Sequence, residues 1–251
     1  MNDTKLKAVI FDVDGTLADT ERDGHRIAFN AVFQEMNLPF EWDIPLYGEL
    51  LRITGGKERM LHYTEKYKPE FLDTVSKNIK EMHVRKNKIY EEILSKGEIQ
   101  FRSGVERLVN EITSSGITAA IATTTSEENV QALFSGERKE LLKKFSIIGA
   151  GDIVPRKKPD PGIYLYVLEK LGIRPQEAIA VEDSFNGITA TNAATIKTII
   201  TVNGYTEKDD FTGAVSVLSD LGEPDHACTS ISGESPAKGF VDLDFLNGLI
   251  C

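Results

Sequence analysis

Ala8-Val9-Ile10-Phe11-Asp12-Val13-Asp14-Gly15-Thr16-Leu17 is the stretch whose reading decides the fold. Four apolar residues predict a short strand buried on both faces, as in a parallel sheet. Two acids follow at once. In an open parallel sheet, ligands bind beyond the carboxyl ends of the strands. Residues two apart on an extended chain point to one side, so Asp12 and Asp14 are expected to converge. Two close carboxylates need a divalent cation or a shared proton to relieve them. One of them could then attack phosphorus while the other handles a proton. Gly15 permits the tight turn that follows. A loop of solvated acids would carry the same letters. A calcium loop would not, because its sixth and twelfth positions, counted from Asp12, hold Leu17 and Asp23 instead of Gly and Glu.

Outward from this stretch, strand and helix alternate from about residue 104. Val105 to Ile112 has helical spacing, and Ile117 to Ala122 reads as a buried strand. Ile147 to Ala150 is a weaker strand, and Ile163 to Leu171 a helix with Gly172 at its C-cap position. Ala178 to Val181, Gly187 to Ala194 and Thr198 to Val202 continue as strand, helix, strand. The fold class predicted is α/β: a Rossmann-like, doubly wound parallel sheet core. Residues 21–97 differ, with heptad-like apolar spacing, many charges and few β-rich runs. They predict an all-helical cap domain inserted in a core formed by residues 1–20 and 98–251. Leu17–Thr20 and Gly97–Ser103 would be its hinges. The tail, with Ser, Gly and Pro in plenty and then a short apolar helix, Val241 to Ile250, reads as structural packing.

Composition narrows the function classes. The 251 residues carry a formal net charge of -10, which disfavours nucleic acid and anionic membrane as partners. No apolar run approaches transmembrane length, so no membrane partner is expected. Cys228 and Cys251 lack metal-ligand spacing and read as free thiols of a reducing compartment.

Three further motifs follow predicted strands. In Ala122-Thr123-Thr124-Thr125-Ser126, hydroxyls and backbone N–H groups could bind phosphate oxygens; strand preference and a helix cap at Ser126 explain the same letters. In Arg156-Lys157-Lys158-Pro159-Asp160-Pro161, one lysine could face a transferring phosphoryl group, or the loop could simply be solvated. Pro161 suits the first helical position with Asp160 as N-cap. In Val181-Glu182-Asp183-Ser184, one acid could reach a metal while its neighbour supports it, or Asp183 or Ser184 could cap a helix.

In this order and context, DVDGT (Asp12–Thr16), ATTTS (Ala122–Ser126), KKPDP (Lys157–Pro161) and VEDS (Val181–Ser184) resemble the haloacid dehalogenase superfamily of phosphatases. Asp19–Arg26, Tyr47–Leu51 and Thr54–Arg59 make the chain similar to its CbbY-type sugar-bisphosphate phosphatases. The resemblance implies a Mg²⁺-dependent phosphatase whose substrate is a small phosphorylated sugar, xylulose-1,5-bisphosphate, a misfire product of Rubisco in carbon fixation. It implies Asp12 as nucleophile, Asp14 as general acid and base, and Thr123, with the Thr124 backbone N–H, on a phosphoryl oxygen. Lys158 would stabilise developing charge. Asp12, the Asp14 carbonyl and Asp183 would hold the metal, with Glu182 orienting them. In the cap it implies Glu21, His25, Tyr47, Gly56, Lys57 and Arg59 as substrate-binding residues, Lys57 and Arg59 meeting a second phosphate. Lys and Arg on a solvated helix face, and a packed His25, remain alternatives. So do a phosphomutase of the β-phosphoglucomutase type, which shares these motifs, and an inactive binding domain, although every catalytic position is filled. Asp14 counts against a dehalogenase. A monomer is expected, in the cytoplasm or, in a photosynthetic eukaryote, the plastid stroma.

Overall fold

The computed structural model describes residues 5–97 and 99–250. The chain divides into two compact units, Met1–Asp19 with Gln100–Cys251, and Thr20–Ile99.

The first unit is built on a seven-stranded sheet of order β3-β2-β1-β4-β5-β6-β7. Its strands are β1 (Ala8–Phe11), β2 (Thr118–Ala122), β3 (Phe145–Gly149), β4 (Ala178–Glu182), β5 (Lys197–Thr201), β6 (Ser216–Leu218) and β7 (Ser230–Gly233). β1 to β6 pair in parallel, and β7 runs antiparallel to β6. The central strand β1 pairs with β2 (Ala8 opposite Thr118) and with β4 (Ala8 opposite Ala178). All four of its residues are fully buried, which is why the strand is an unbroken apolar run. Chain order reverses between β1 and β4, so the crevice beyond their carboxyl ends is where such sheets take ligands. The two outer strands are the departure from the sequence reading. The tail supplies β7, an edge strand exposed at every residue and held by backbone pairing, so no apolar pattern announces it.

The second unit is helical: α1 (Arg26–Glu35), α2 (Ile44–Leu50), α3 (Gly56–Tyr67) and α4 (Leu72–Ser95). Its core gathers around Trp42, which is fully buried, with Phe29 at 4.8 Å, Phe33 at 4.9 Å and Tyr63 at 5.4 Å between ring centres. Asn30 fixes the Trp42 backbone by accepting its N–H at 2.8 Å and donating to its carbonyl at 2.9 Å. In the first unit follow α5 (Val105–Ser114), α6 (Glu127–Leu133), α7 (Lys139–Leu142), α8 (Gly162–Leu171), α9 (Phe185–Ala193) and α10 (Leu243–Ile250). Ile163, Tyr164 and Val167 of α8 and Ala190 of α9 pack with Ile10, Ala120 and Ala180 of the sheet. Gly172 ends α8 in the left-handed conformation. Pro161, not Asp160, is the cap of α8, but Asp160 Oδ1 still accepts the Gly162 N–H at 2.9 Å. Cys228 is a free, partly buried thiol whose pKa burial raises, and Cys251 lies outside the described residues. No helix among the described residues is long and apolar enough to cross a membrane.

The starts of β1 and β4 are tied by Glu177. Its side chain accepts from the Arg174 backbone N–H at 2.9 Å and pairs with Lys7 at 2.8 Å and Arg174 at 3.2 Å. Hydrogen bonds from the Arg174 and Lys7 side chains, with the Arg174 backbone, lower its pKa from 4.5 to about 2. A depressed carboxylate stabilises the fold fully above the unfolded value and loses that contribution as pH falls through the folded one. Glu177→Gln should therefore melt below wild type at neutral pH, and the gap should close between 4.5 and about 2. A gap that stays constant through that window would show that charge at Glu177 is not what ties the strands.

Candidate active site

The nucleophile expected from the sequence stands where β1 runs out. The Asp12 N–H still donates to Val181 of β4 at 3.0 Å, so the ladder fixes its backbone. Lys158 arrives from the loop before α8, and Glu182 and Asp183 from the end of β4; all four side chains are buried. Lys158 Nζ donates to Asp12 Oδ1 at 2.6 Å, Glu182 Oε1 at 2.6 Å and the Ala122 carbonyl at 2.8 Å. Tyr164 of α8 donates its hydroxyl to Glu182 Oε1, and the Asp183 N–H donates to Glu182 Oε2 at 3.2 Å. Gly187 lets α9 approach this carboxylate: a Cβ there would lie 2.0 Å from Glu182 Oε2. Asp183 Oδ2 accepts from Asn203 Nδ2 at 2.7 Å, and Thr16 Oγ1 donates to Asp183 Oδ1 at 3.4 Å.

Asp12, Glu182 and Asp183 each place a carboxylate oxygen within 4.8 Å of the others. Burial pushes Asp12 up from 3.8 to about 8; Lys158 pulls against this, while Glu182 and Asp14 add to it. Burial, then Asp12 and Glu182, push Asp183 well above the carboxylate range, with Arg102 and Asn203 opposing. Burial disfavours charge on Lys158, but Asp12 and Glu182 outweigh it and hold the ammonium above its ordinary value. The cluster is thus short of positive charge, and its donors are hard oxygens. It fits a small divalent cation such as Mg²⁺. Asp14 is half-buried, and its carboxylate is not one of the three gathered.

At the end of β2, the Thr123 N–H donates to Gly149 at 2.9 Å, and Thr123 Oγ1 accepts the Thr125 N–H at 3.2 Å. Thr123 is buried and Thr124 half-buried. Ser126 also caps α6, accepting the Asn129 N–H at 3.3 Å, so the cap reading and the phosphate-loop reading are compatible.

Within the helical unit, three of the expected residues meet. Tyr47 donates its hydroxyl to Glu21 Oε2, and Arg59 donates to the Tyr47 hydroxyl at 2.8 Å with Glu21 Oε2 at 3.8 Å. His25 is packed: its ring stacks on Tyr90 at 3.9 Å, and Lys86 Nζ lies 2.7 Å from Nδ1. Gly56 opens α3, where a Cβ would meet His83 at 3.1 Å and Phe29 at 3.2 Å. Lys57 follows it in the first turn, half-buried.

Sequence reasoning missed Tyr164, Asn203, Arg102 and Lys86. Lys86 had a signal, since it falls on the apolar stripe of α4 with Met82 and Tyr90. A lysine on a buried stripe asks for a reason.

Residues 6–195 match the haloacid dehalogenase-like hydrolase family. A CBBY-like protein of Arabidopsis thaliana is 42% identical over 230 residues, 88% of this chain and 71% of its own length. Protein CbbY of Cupriavidus necator is 42% identical over 222 residues, 87% of each chain. The crystal structure of CbbY from Rhodobacter sphaeroides with phosphate superposes with a TM-score of 0.78 at 38% identity, covering 87% of this chain and 96% of that one. An Asp→Asn variant of that protein was crystallised with xylulose-(1,5)bisphosphate. The chain belongs to the haloacid dehalogenase-like hydrolases and is a phosphatase with CbbY proteins among its relatives.

Proposed function

We propose that this enzyme hydrolyses a sugar bisphosphate, xylulose-1,5-bisphosphate, with Mg²⁺ and through an aspartyl-phosphate on Asp12. The observation that carries the reading is the Lys158 ammonium bridging Asp12 and Glu182 inside a buried carboxylate cluster. The bridge holds the Asp12 carboxylate in one orientation and puts positive charge where phosphoryl charge would develop. An Asp12 oxygen attacks phosphorus, the ester P–O bond breaks, and the leaving oxygen takes the proton of Asp14. Asp14, now ionised, accepts a proton from water; the hydroxyl attacks phosphorus, and the Asp12–phosphorus bond breaks to release phosphate. Thr123 and the Thr124 N–H hold a phosphoryl oxygen. Asp12, Asp183 and the Asp14 carbonyl would hold Mg²⁺, which when bound neutralises phosphoryl oxygens. Glu182 has both oxygens committed to Lys158, Tyr164 and the Asp183 N–H, so its part is to orient its neighbours.

The substrate rests on the relative crystallised with that bisphosphate. Its second dianion needs cations, and we assign it to Lys57 and Arg59, Arg59 being aimed by Tyr47 and Glu21. Incubation with xylulose-1,5-bisphosphate should release inorganic phosphate with Mg²⁺ and none in excess EDTA, returning on readdition of Mg²⁺. p-Nitrophenyl phosphate should turn over at a lower kcat/KM. Full activity in EDTA would refute the metal. Conversion to an isomeric sugar phosphate without phosphate release would make the enzyme a mutase.

A further inference from the structure

The Arg102 side chain, nine-tenths buried, spends its guanidinium on backbone carbonyls from three places. Nη1 donates to the Gly15 carbonyl and to the Thr201 carbonyl at 3.0 Å and hydroxyl at 3.2 Å. Nη2 donates to the carbonyls of Val202 at 2.5 Å and Ser219 at 2.8 Å. Nε faces Asp19 Oδ1 at 3.5 Å, and the Arg102 backbone N–H donates to Leu17 at 2.9 Å. Its acceptors thus span the loop after Asp14, the end of β5 and the end of β6.

Gly15 is the link to the chemistry. It sits at φ +85°, and a Cβ there would lie 2.3 Å from Asp183 Oδ2 and 2.7 Å from Asn203 Nδ2. Its backbone therefore touches the carboxylate that closes the cluster. Asn203 Nδ2 bridges the same two groups, donating to Asp183 Oδ2 at 2.7 Å and reaching the Gly15 carbonyl at 3.4 Å. Where Gly15 goes, Asp183 and the adjoining Asp14 carbonyl must follow.

We propose that Arg102 is a positioning residue that presets the metal-holding loop, an inference that rests on the Mg²⁺ reading above. Its guanidinium hydrogen bonds go to main-chain carbonyls and the Thr201 hydroxyl. It pins the Gly15 carbonyl to two strand ends, so that Asp183 and the Asp14 backbone stand in place before a cation arrives. A planar guanidinium with five N–H donors can serve these acceptors together, and an ammonium with three rotating donors cannot.

The experiment titrates Mg²⁺ into substrate-free wild type and Arg102→Lys by calorimetry. Groups that orient metal ligands typically matter by roughly 10–100-fold in affinity. Arg102→Lys should weaken Mg²⁺ by that factor, lower kcat at subsaturating Mg²⁺ and leave KM for the bisphosphate nearly unchanged. Equal Mg²⁺ affinity in the two proteins overturns the proposal. Failure of the wild type itself to bind Mg²⁺ refutes the metal reading, and this inference with it. Hydrogen exchange on metal-free wild type tests the same idea without a variant. The Gly15 and Thr16 amides, which donate to Ala18 at 2.8 Å and Val13 at 3.2 Å, should be protected before metal is added. Exchange at free-peptide rates in that state overturns it, even if Arg102→Lys does not fold.

Discussion

Asp12→Asn should abolish turnover without costing stability. An amide cannot form the acyl phosphate, and loss of a nucleophile in other covalent mechanisms costs on the order of 10⁶ in kcat. The fold should not suffer, because the ionised carboxylate is held there against its preference. Burial raises Asp12 from 3.8 to about 8 in the metal-free protein. A raised carboxylate opposes folding increasingly as pH climbs from the unfolded value to the folded one, and the opposition is complete above about 8. Asn carries no such charge, and Lys158 keeps Glu182 as partner. Without metal, the variant should melt at or above wild type, with the difference growing from acid to neutral pH. A residual rate within about tenfold of wild type would show that another group attacks phosphorus.

Lys158→Met should do the opposite and damage both stability and rate. It removes the ammonium that joins Asp12 to Glu182 and leaves two buried carboxylates facing each other. Breaking a buried pair by deleting one partner costs about 3–5 kcal/mol. At a chain of this size that lowers the melting temperature by roughly 6–20 °C. Asp12, already raised by burial, should rise further without the ammonium that pulls it down, so the variant should lose least at acid pH and most at alkaline pH. Turnover should fall by about 10²–10³, as when a charge-stabilising donor is removed. Thermal scans of both proteins from acid to alkaline pH, beside kcat, provide the check. A variant as stable as wild type in alkali would mean that the two carboxylates repel each other less than their burial requires.

What the sequence made legible follows from burial on two faces. Central strands of a parallel sheet have no solvent side, so Ala8–Phe11, Thr118–Ala122 and Ala178–Glu182 show as short apolar runs. Asp12, Thr123 and Glu182–Asp183 stand at or just past the ends of such runs, which is why the eye stops on them. β6 and β7 had no such signature: one is three residues long, the other wholly exposed. Tyr164 reads as one more apolar residue of α8, and only the buried Glu182 carboxylate gives its hydroxyl a purpose. Arg102 is hidden for a different reason. Its partners are mostly main-chain carbonyls, which every residue has, so no side chain elsewhere betrays it. The bond between Lys158 and Asp12 likewise spans 146 positions, a distance no local pattern encodes.

The place of β1 in the sheet has a consequence for the growing chain. The strand that leads into Asp12 leaves the ribosome before the other strands of its sheet, yet both its neighbours, β2 and β4, are made much later. At synthesis rates of about 5–20 residues per second, Ala8–Phe11 waits roughly ten to thirty seconds for β4 to emerge. Until β2 is made neither edge of this apolar run has its partner, and until β4 is made one edge still lacks it, which leaves a target for chaperones and for its own neighbours on a polysome.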